Sequence, residues 1–303
     1  MTNLADRKQF APLLVVLAGM CWGIIGLFSK QLSADGFSPL QIAFIRVGIA
    51  TVLVWLYLFI FNRGKLKIKF RDIWMFIGTG VLSLVFFSVM YFSAIQMTTL
   101  SIAAVLLYTA PCFVLIMSAI IFHEKITTKK TIAMLMAFLG CICTTGLFKA
   151  FFAGSGIGGV SLIGILLGIG SGFGYALYSI FGTAALKKYG TVTVTAYTFL
   201  FAAVTMLPFC VNREFFGLIQ HGPALMNAVF IAIFSTIVPY LLYTQGLKDT
   251  EPGKASVLAF SEPLTATLTG LIVFKEALTL GGIIGILLIF FSIVFLNTKE
   301  KTF

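Results

Sequence analysis

One carboxylate stands where carboxylates are costly. Glu262 lies near the middle of the apolar stretch 253–274, and an ionised side chain at that depth faces a cavity or a partner. Thr265 and Thr269 follow it on one helical face and extend a polar stripe. Such a carboxylate can bind an ammonium group or carry a coupling proton. It can equally be a structural group, bonded to backbone freed by Pro263 or paired with Arg46. Trp22, Tyr91, Tyr108, Tyr175, Tyr178 and Tyr243 all fall in apolar stretches and offer faces for cations or flat substrates, with polar tips for hydrogen bonds. The same residues also serve as packing in a chain with 32 Phe. Gln245 is a further polar candidate. Arg46 could hold a substrate carboxylate, but near the outer end of its stretch snorkelling costs less.

The elements around these residues are helices in lipid. The chain is 59% hydrophobic and only 10% charged, with a mean hydropathy of +1.06. A soluble domain carries roughly 25% charged residues. Apolar stretches fall at about 11–32, 39–61, 73–95, 99–122, 131–148, 161–184, 192–211, 223–246, 253–274 and 279–297. About 20 apolar residues cross the hydrocarbon as one helix, so these predict about ten spans. They are unbroken rather than alternating, which excludes a barrel. The stretch after MTNLADRKQF is too long for a signal peptide and is read as the first span.

Several chemistries are excluded. Cys21, Cys112, Cys141, Cys143 and Cys210 lie in apolar stretches with no zinc or redox spacing. His123 and His221 alone could supply imidazole, so no metal site is expected. No phosphate-binding loop is present, and Gly170, Gly172 and Gly174 sit inside a span with no strand before them. No cofactor, nucleophile–base pair or enzymatic activity is expected. The net charge of +11 does not require nucleic acid. Sixteen of the 21 Lys and Arg fall on one face, including Arg63, Lys65, Lys67, Lys69 and Arg71. Lys30, Lys149, Arg213 and Lys275 fall on the other, with Arg46 inside a span. The charge bias predicts a plasma-membrane protein with both termini cytoplasmic and an attraction to anionic lipid.

An internal repeat organises the spans. A shift of 152 places Glu124 on Glu276, Pro111 on Pro263 and Tyr91 on Tyr243 without a gap. Val105, Leu106, Phe122 and Thr127 also find identical partners. Residues 1–150 and 151–303 are therefore read as two halves of five spans. An odd number per half inverts the second, and inverted repeats place a site near the midplane that rocking exposes to alternate sides. The expected fold is an all-α membrane protein, two inverted five-helix repeats around a central cavity. Pro111 and Pro263 are expected to kink their helices, as static bends or as gating hinges. Gly19 and Gly23, the trio Gly164, Gly168 and Gly172, and Gly281 and Gly285 are spaced for close helix packing.

These motifs resemble the EamA-type branch of the drug/metabolite transporter superfamily over nearly the whole chain. The resemblance rests on AGMCWGIIGLFSK, on FIRVGIA, and on LLYTAPCFVLIMSAIIFHEKIT with its second copy LAFSEPLTATLTGLIVFKEALT. It implies a cavity lined by the first, third, fourth, sixth, eighth and ninth spans, with the fifth and tenth peripheral. It also implies small substrates such as amino acids, nucleobases or amines, most often exported. The leading expectation is a secondary transporter of a small polar metabolite, an amino acid or related compound. The alternatives are import of an organic cation such as a quaternary amine and, in a different class, a lipid scramblase or membrane scaffold. Protons as coupling ion and a homodimer are left open.

Overall fold

A computed structural model describes residues 4–145, 161–220, 222–277 and 279–298, with only the backbone of 4–9. Lys149, His221, Lys299, Lys301 and the boundary between the halves at 150 and 151 lie outside the described residues. The described chain is helical throughout. Five helices form the first half: α1 (Phe10–Ala34), α2 (Pro39–Phe61), α3 (Phe70–Met97), α4 (Leu100–Phe122) and α5 (Thr128–Thr144). Five form the second: α6 (Leu162–Leu186), α7 (Thr191–Cys210), α8 (Gly222–Asp249), α9 (Pro252–Ile272) and α10 (Leu280–Asn297). Nine of these are long and apolar enough to cross a membrane. The described part of α5 has 17 residues and packs along α10.

α7, α9 and α10 begin 152 residues after α2, α4 and α5, at Thr191, Pro252 and Leu280 against Pro39, Leu100 and Thr128. Local chemistry repeats at the same interval. Thr127 and Thr279 each cap a helix start, accepting from the backbone N–H of Lys130 and Gly282 at 3.3 and 3.0 Å. His123 (φ 56°) and Lys275 (φ 53°) each end a helix in the left-handed conformation that favours glycine. The following glutamates, Glu124 and Glu276, donate their N–H to the carbonyls of Ser118 and Gly270 at 3.2 and 3.1 Å. Inside α3, Gly78–Val85 widens into π-helical turns; inside α8, Ile233–Ile237 does so at the corresponding place.

Three of the ten helices are broken. α1 is interrupted at Ile24, α4 at Tyr108 and Thr109, and α9 at Ala259 and Phe260. Pro111 and Pro263 therefore do not bend continuous helices, as the sequence suggests. They sit in the first turn of new half-helices, Ala110–Phe122 and Ser261–Ile272, where a missing N–H costs nothing.

The breaks in α4 and α9 are each received by the first helix of the other half. A Cβ on Gly23 would fall within 2.6 Å of the Glu262 carbonyl and Thr265, and Gly19 lies against Ala259, Ser261 and Glu262. In α6, Gly172 has the same relation to Thr109 and the carbonyls of Leu106 and Leu107. Small residues there let the unpaired backbone approach. α2 packs on α7, with Trp55 Nε1 donating to the Ala196 carbonyl at 3.1 Å. The α5–α10 pair closes where Gly140 meets the backbone of Gly285 and Ile289. α1, α3, α4, α6, α8 and α9 surround the centre.

The two faces differ in their fastenings. On the basic face, which carries Arg63–Arg71, Lys130 Nζ reaches Glu124 Oε1 and Glu251 Oε2, each at 2.6 Å. Glu124 Oε2 also accepts from the Gly253 N–H at 3.1 Å, tying the α4–α5 turn to the start of α9. Lys188 Nζ meets Asp72 Oδ1 at 2.5 Å, tying the α6–α7 turn to the start of α3. The register places Gly282, Thr99, Gly36 and Ala224 opposite Lys130, Glu251, Lys188 and Asp72. None of these ion pairs therefore has a counterpart on the other face.

Candidate functional site

The break in α9 positions Glu262. It lies in the first turn of the half-helix Ser261–Ile272, where the helix dipole favours a negative group. Its N–H donates to the Ala259 carbonyl at 2.9 Å, and its side chain is half-buried. Tyr175 Oη, from α6, donates to Glu262 Oε2 at 3.2 Å. Ser261 Oγ donates to the Val16 carbonyl of α1 at 2.8 Å and fixes the break against that helix.

Two small cavities meet at Tyr175. The first is lined by Trp22, Ser83, Leu84, Phe87, Tyr175, Tyr178, Ser179, Tyr240 and Tyr243. The second is lined by Leu107, Tyr108, Ala110, Pro111, Tyr175, Ser256, Ala259, Phe260 and Glu262. Their walls come from α1, α3, α4, α6, α8 and α9, the six helices implied by the resemblance. Trp22 is the hub of the aromatic wall, with ring centroids 6.3 Å from Tyr175, 5.2 Å from Tyr240 and 5.4 Å from Tyr243. Two hydrogen bonds between α6 and α8 lock that wall. Tyr178 Oη shares one with Thr244 Oγ1 at 2.6 Å, and Ser179 Oγ shares one with Tyr243 Oη at 2.7 Å.

Most of the residues singled out in the sequence converge. Trp22, Tyr108, Tyr175, Tyr178, Tyr243, Pro111 and Glu262 all line one or the other cavity. Tyr91 stands behind the wall, stacked on Phe87 with centroids 5.7 Å apart. Pro263 is buried next to Glu262. Gln245 does not join them: its Oε1 accepts from Thr191 Oγ1 at 2.7 Å and ties α8 to the start of α7. Arg46 also departs from expectation. It does not snorkel to an interface but lies half-buried beside Tyr240 and within electrostatic reach of Glu262.

Tyr240, Ser83, Ser179 and Ser256 were not singled out in the sequence. Tyr240 carried a usable signal, because it precedes Tyr243 by one helical turn and so shares its face. The serines carried none, since hydroxyls are common where helices pack in lipid.

Among the described residues, three buried polar atoms at this centre have no hydrogen-bond partner: Trp22 Nε1, Arg46 Nε and Thr265 Oγ1. Two of them can only donate. The centre thus holds one carboxylate, donors without acceptors, and a ring of aromatic faces in cavities too small for a lipid.

The EamA-like transporter family matches residues 9–146 and again 162–298, one copy in each half. An uncharacterized transporter of Archaeoglobus fulgidus is 29% identical over 92% of this chain and 95% of its own length. The uncharacterized transporter YvbV of Bacillus subtilis is 26% identical over 97% of this chain and 93% of its own. A solved crystal structure superposes with a TM-score of 0.78 at 18% identity, covering 95% of this chain and 96% of that one, which supports the fold. With two family copies, ten inverted helices and an enclosed polar centre, the chain belongs to the EamA-like transporter family and is a multi-pass membrane transporter of the drug/metabolite type.

Proposed function

We propose that the protein exports a small zwitterionic metabolite, an amino acid or close relative, by alternating access. Glu262 takes the ammonium group, while Arg46 and Trp22 Nε1 take the carboxylate. The observation that carries this reading is one carboxylate, Glu262, at a helix-bundle centre that also holds two donor atoms, Trp22 Nε1 and Arg46 Nε, without a hydrogen-bond partner among the described residues. A buried donor without an acceptor is costly, and a bound carboxylate removes that cost. The small cavities argue against lipid as cargo. Glu262 is also the group placed to couple a proton. The basic face is cytoplasmic in this reading, from the positive-inside bias, and the membrane is the plasma membrane.

A second reading has one specific observation in its favour. Trp22 is surrounded by Tyr175, Tyr240 and Tyr243, an aromatic enclosure suited to a quaternary ammonium ion. Proteoliposome flux separates the two. A panel of amino acids, monoamines and quaternary amines is offered with and without an imposed pH gradient. Movement of zwitterions and not of quaternary amines supports the first reading; the reverse supports the second. Failure of every solute to move overturns both.

A further inference from the structure

A second cavity system lies far from Glu262, on the basic face. The α2–α3 loop and the α6–α7 turn border an open cleft of about 860 Å³, whose lining includes Lys67, Lys69, Arg71 and Lys188. Lys188 is already committed to Asp72. Lys67, Lys69 and Arg71 have no carboxylate within ion-pair distance among the described residues.

These cations are held on a built frame. Thr193 Oγ1 donates to the Lys65 carbonyl at 2.9 Å, and Tyr197 Oη to the Leu66 carbonyl at 2.7 Å. The Lys69 N–H donates to Tyr189 Oη at 3.0 Å, and that phenol donates to Asp72 Oδ2 at 2.7 Å. Burial, reinforced by the neighbouring Asp72 carboxylate, pushes the Tyr189 phenol above its ordinary range, so it remains a donor near neutral pH. Lys67 and Lys69 are both extended, which puts their side chains on one side of the loop. Like charges fixed side by side repel, and nothing in the fold's symmetry demands them. The register places Ile219 and Pro223 opposite Lys67 and Arg71.

Two aromatic residues show where the cleft meets lipid. Phe70 is 89% exposed and Trp74 is 52% exposed, and both flank the cations in sequence. Exposed aromatics at a span's end sit at headgroup depth. We propose that this cleft binds the phosphodiester headgroup of an anionic phospholipid, with Lys67, Lys69 and Arg71 around the phosphate and Phe70 and Trp74 against the acyl chains. Bound there, the lipid would bridge the ends of α3 and α6, two cavity-lining helices. The site is separate from the transport reading and does not depend on it.

The test is native mass spectrometry of the full chain released from nanodiscs of phosphatidylcholine with phosphatidylglycerol. Wild type is expected to retain phosphatidylglycerol in preference to phosphatidylcholine. The triple variant Lys67→Gln, Lys69→Gln, Arg71→Gln is expected to lose affinity on the order of a hundredfold, about fivefold per cation. A charge-matched variant, Arg63→Gln, Lys125→Gln, Lys248→Gln, is expected to lose much less, because those cations do not line the cleft. The single variant Arg71→Gln, with a normal elution profile, guards against a misfolded triple. Equal losses in the two triple variants would overturn the site. So would displacement of the retained lipid by millimolar inorganic phosphate, which would show a soluble-anion site instead.

Discussion

Tyr175 donates to Glu262 across the wall between two cavities, so one hydrogen bond joins α6 of the second half to the break in α9. Tyr175 also meets Trp22 and Phe87 edge-on, at 6.3 and 5.7 Å, which leaves the phenol little freedom to turn away. On the reading proposed above, a substrate ammonium at Glu262 would take the place of this donor, so that binding and release of the Tyr175 contact would be linked.

Glu262→Gln keeps the size of the side chain and removes its charge. Transport in proteoliposomes is expected to fall at least tenfold, the factor for about 1.4 kcal/mol of lost interaction with the substrate cation. Thermal unfolding of the variant should match wild type. A variant that transports normally would remove Glu262 from the mechanism.

Tyr175→Ala deletes the partition and should merge the two cavities, whereas Tyr175→Phe keeps the partition and loses only the donor. Inhibition of flux by bulkier analogues is the measurement. The Ala variant is expected to be inhibited by larger compounds than wild type, and the Phe variant by the same compounds as wild type.

Helix packing gives a contrast between two glycines. A Cβ on Gly172 would lie 2.5 Å from Thr109 Oγ1 and 3.0 Å from the Leu107 carbonyl, whereas Gly26 has nothing within 4 Å. Gly172→Val is expected to destabilise by about 3 kcal/mol, the upper end for overpacking, because the obstacle includes backbone. Gly26→Ala should be neutral or slightly stabilising. Thermal unfolding in detergent distinguishes them.

Lys130 anchors two carboxylates, and its side chain and that of Glu124 are 8% and 5% exposed. Lys130→Met leaves the Glu124 carboxylate without its counter-charge and is expected to cost about 3 kcal/mol. Adding Glu124→Gln removes the stranded charge, so the double variant should recover part of that loss. Equal stability of the single and double variants would show that the pair is solvated rather than buried.

Much of this was legible in the sequence because lipid enforces it. A span must be long, apolar and helical, so ten stretches and their repeat can be read directly, and Pro111, Pro263, Glu124 and Glu276 mark the register. Glu262 was legible because a charge at that depth needs a reason. The helix breaks were less so: proline forbids one hydrogen bond, but whether a helix bends or restarts depends on what supports the freed backbone. Here the support comes from Gly19, Gly23 and Gly172, more than sixty residues away in the chain. The inward placement of Arg46 beside Tyr240 was not legible, since depth along a helix says nothing about which neighbours turn a side chain inward. The bond of Gln245 to Thr191 was not legible either, because spacing alone does not reveal that partner.

The uneven fastening of the two faces has an energetic consequence for a rocking transporter. With two identical inverted halves, the inward-open and outward-open states would be related by a two-fold rotation about an axis in the membrane plane and equally populated. Lys130 with its two glutamates, and Lys188 with Asp72, lift that degeneracy, because the opposite face keeps only Glu276, the match of Glu124, and has Gly282, Thr99, Gly36 and Ala224 in place of the other four. Separating the basic face breaks these pairs, and each 1.4 kcal/mol they hold shifts the ratio of states tenfold. On the alternating-access reading proposed above, these pairs would favour the state with the basic face shut, and the halves, alike in fold, would be unequal in work.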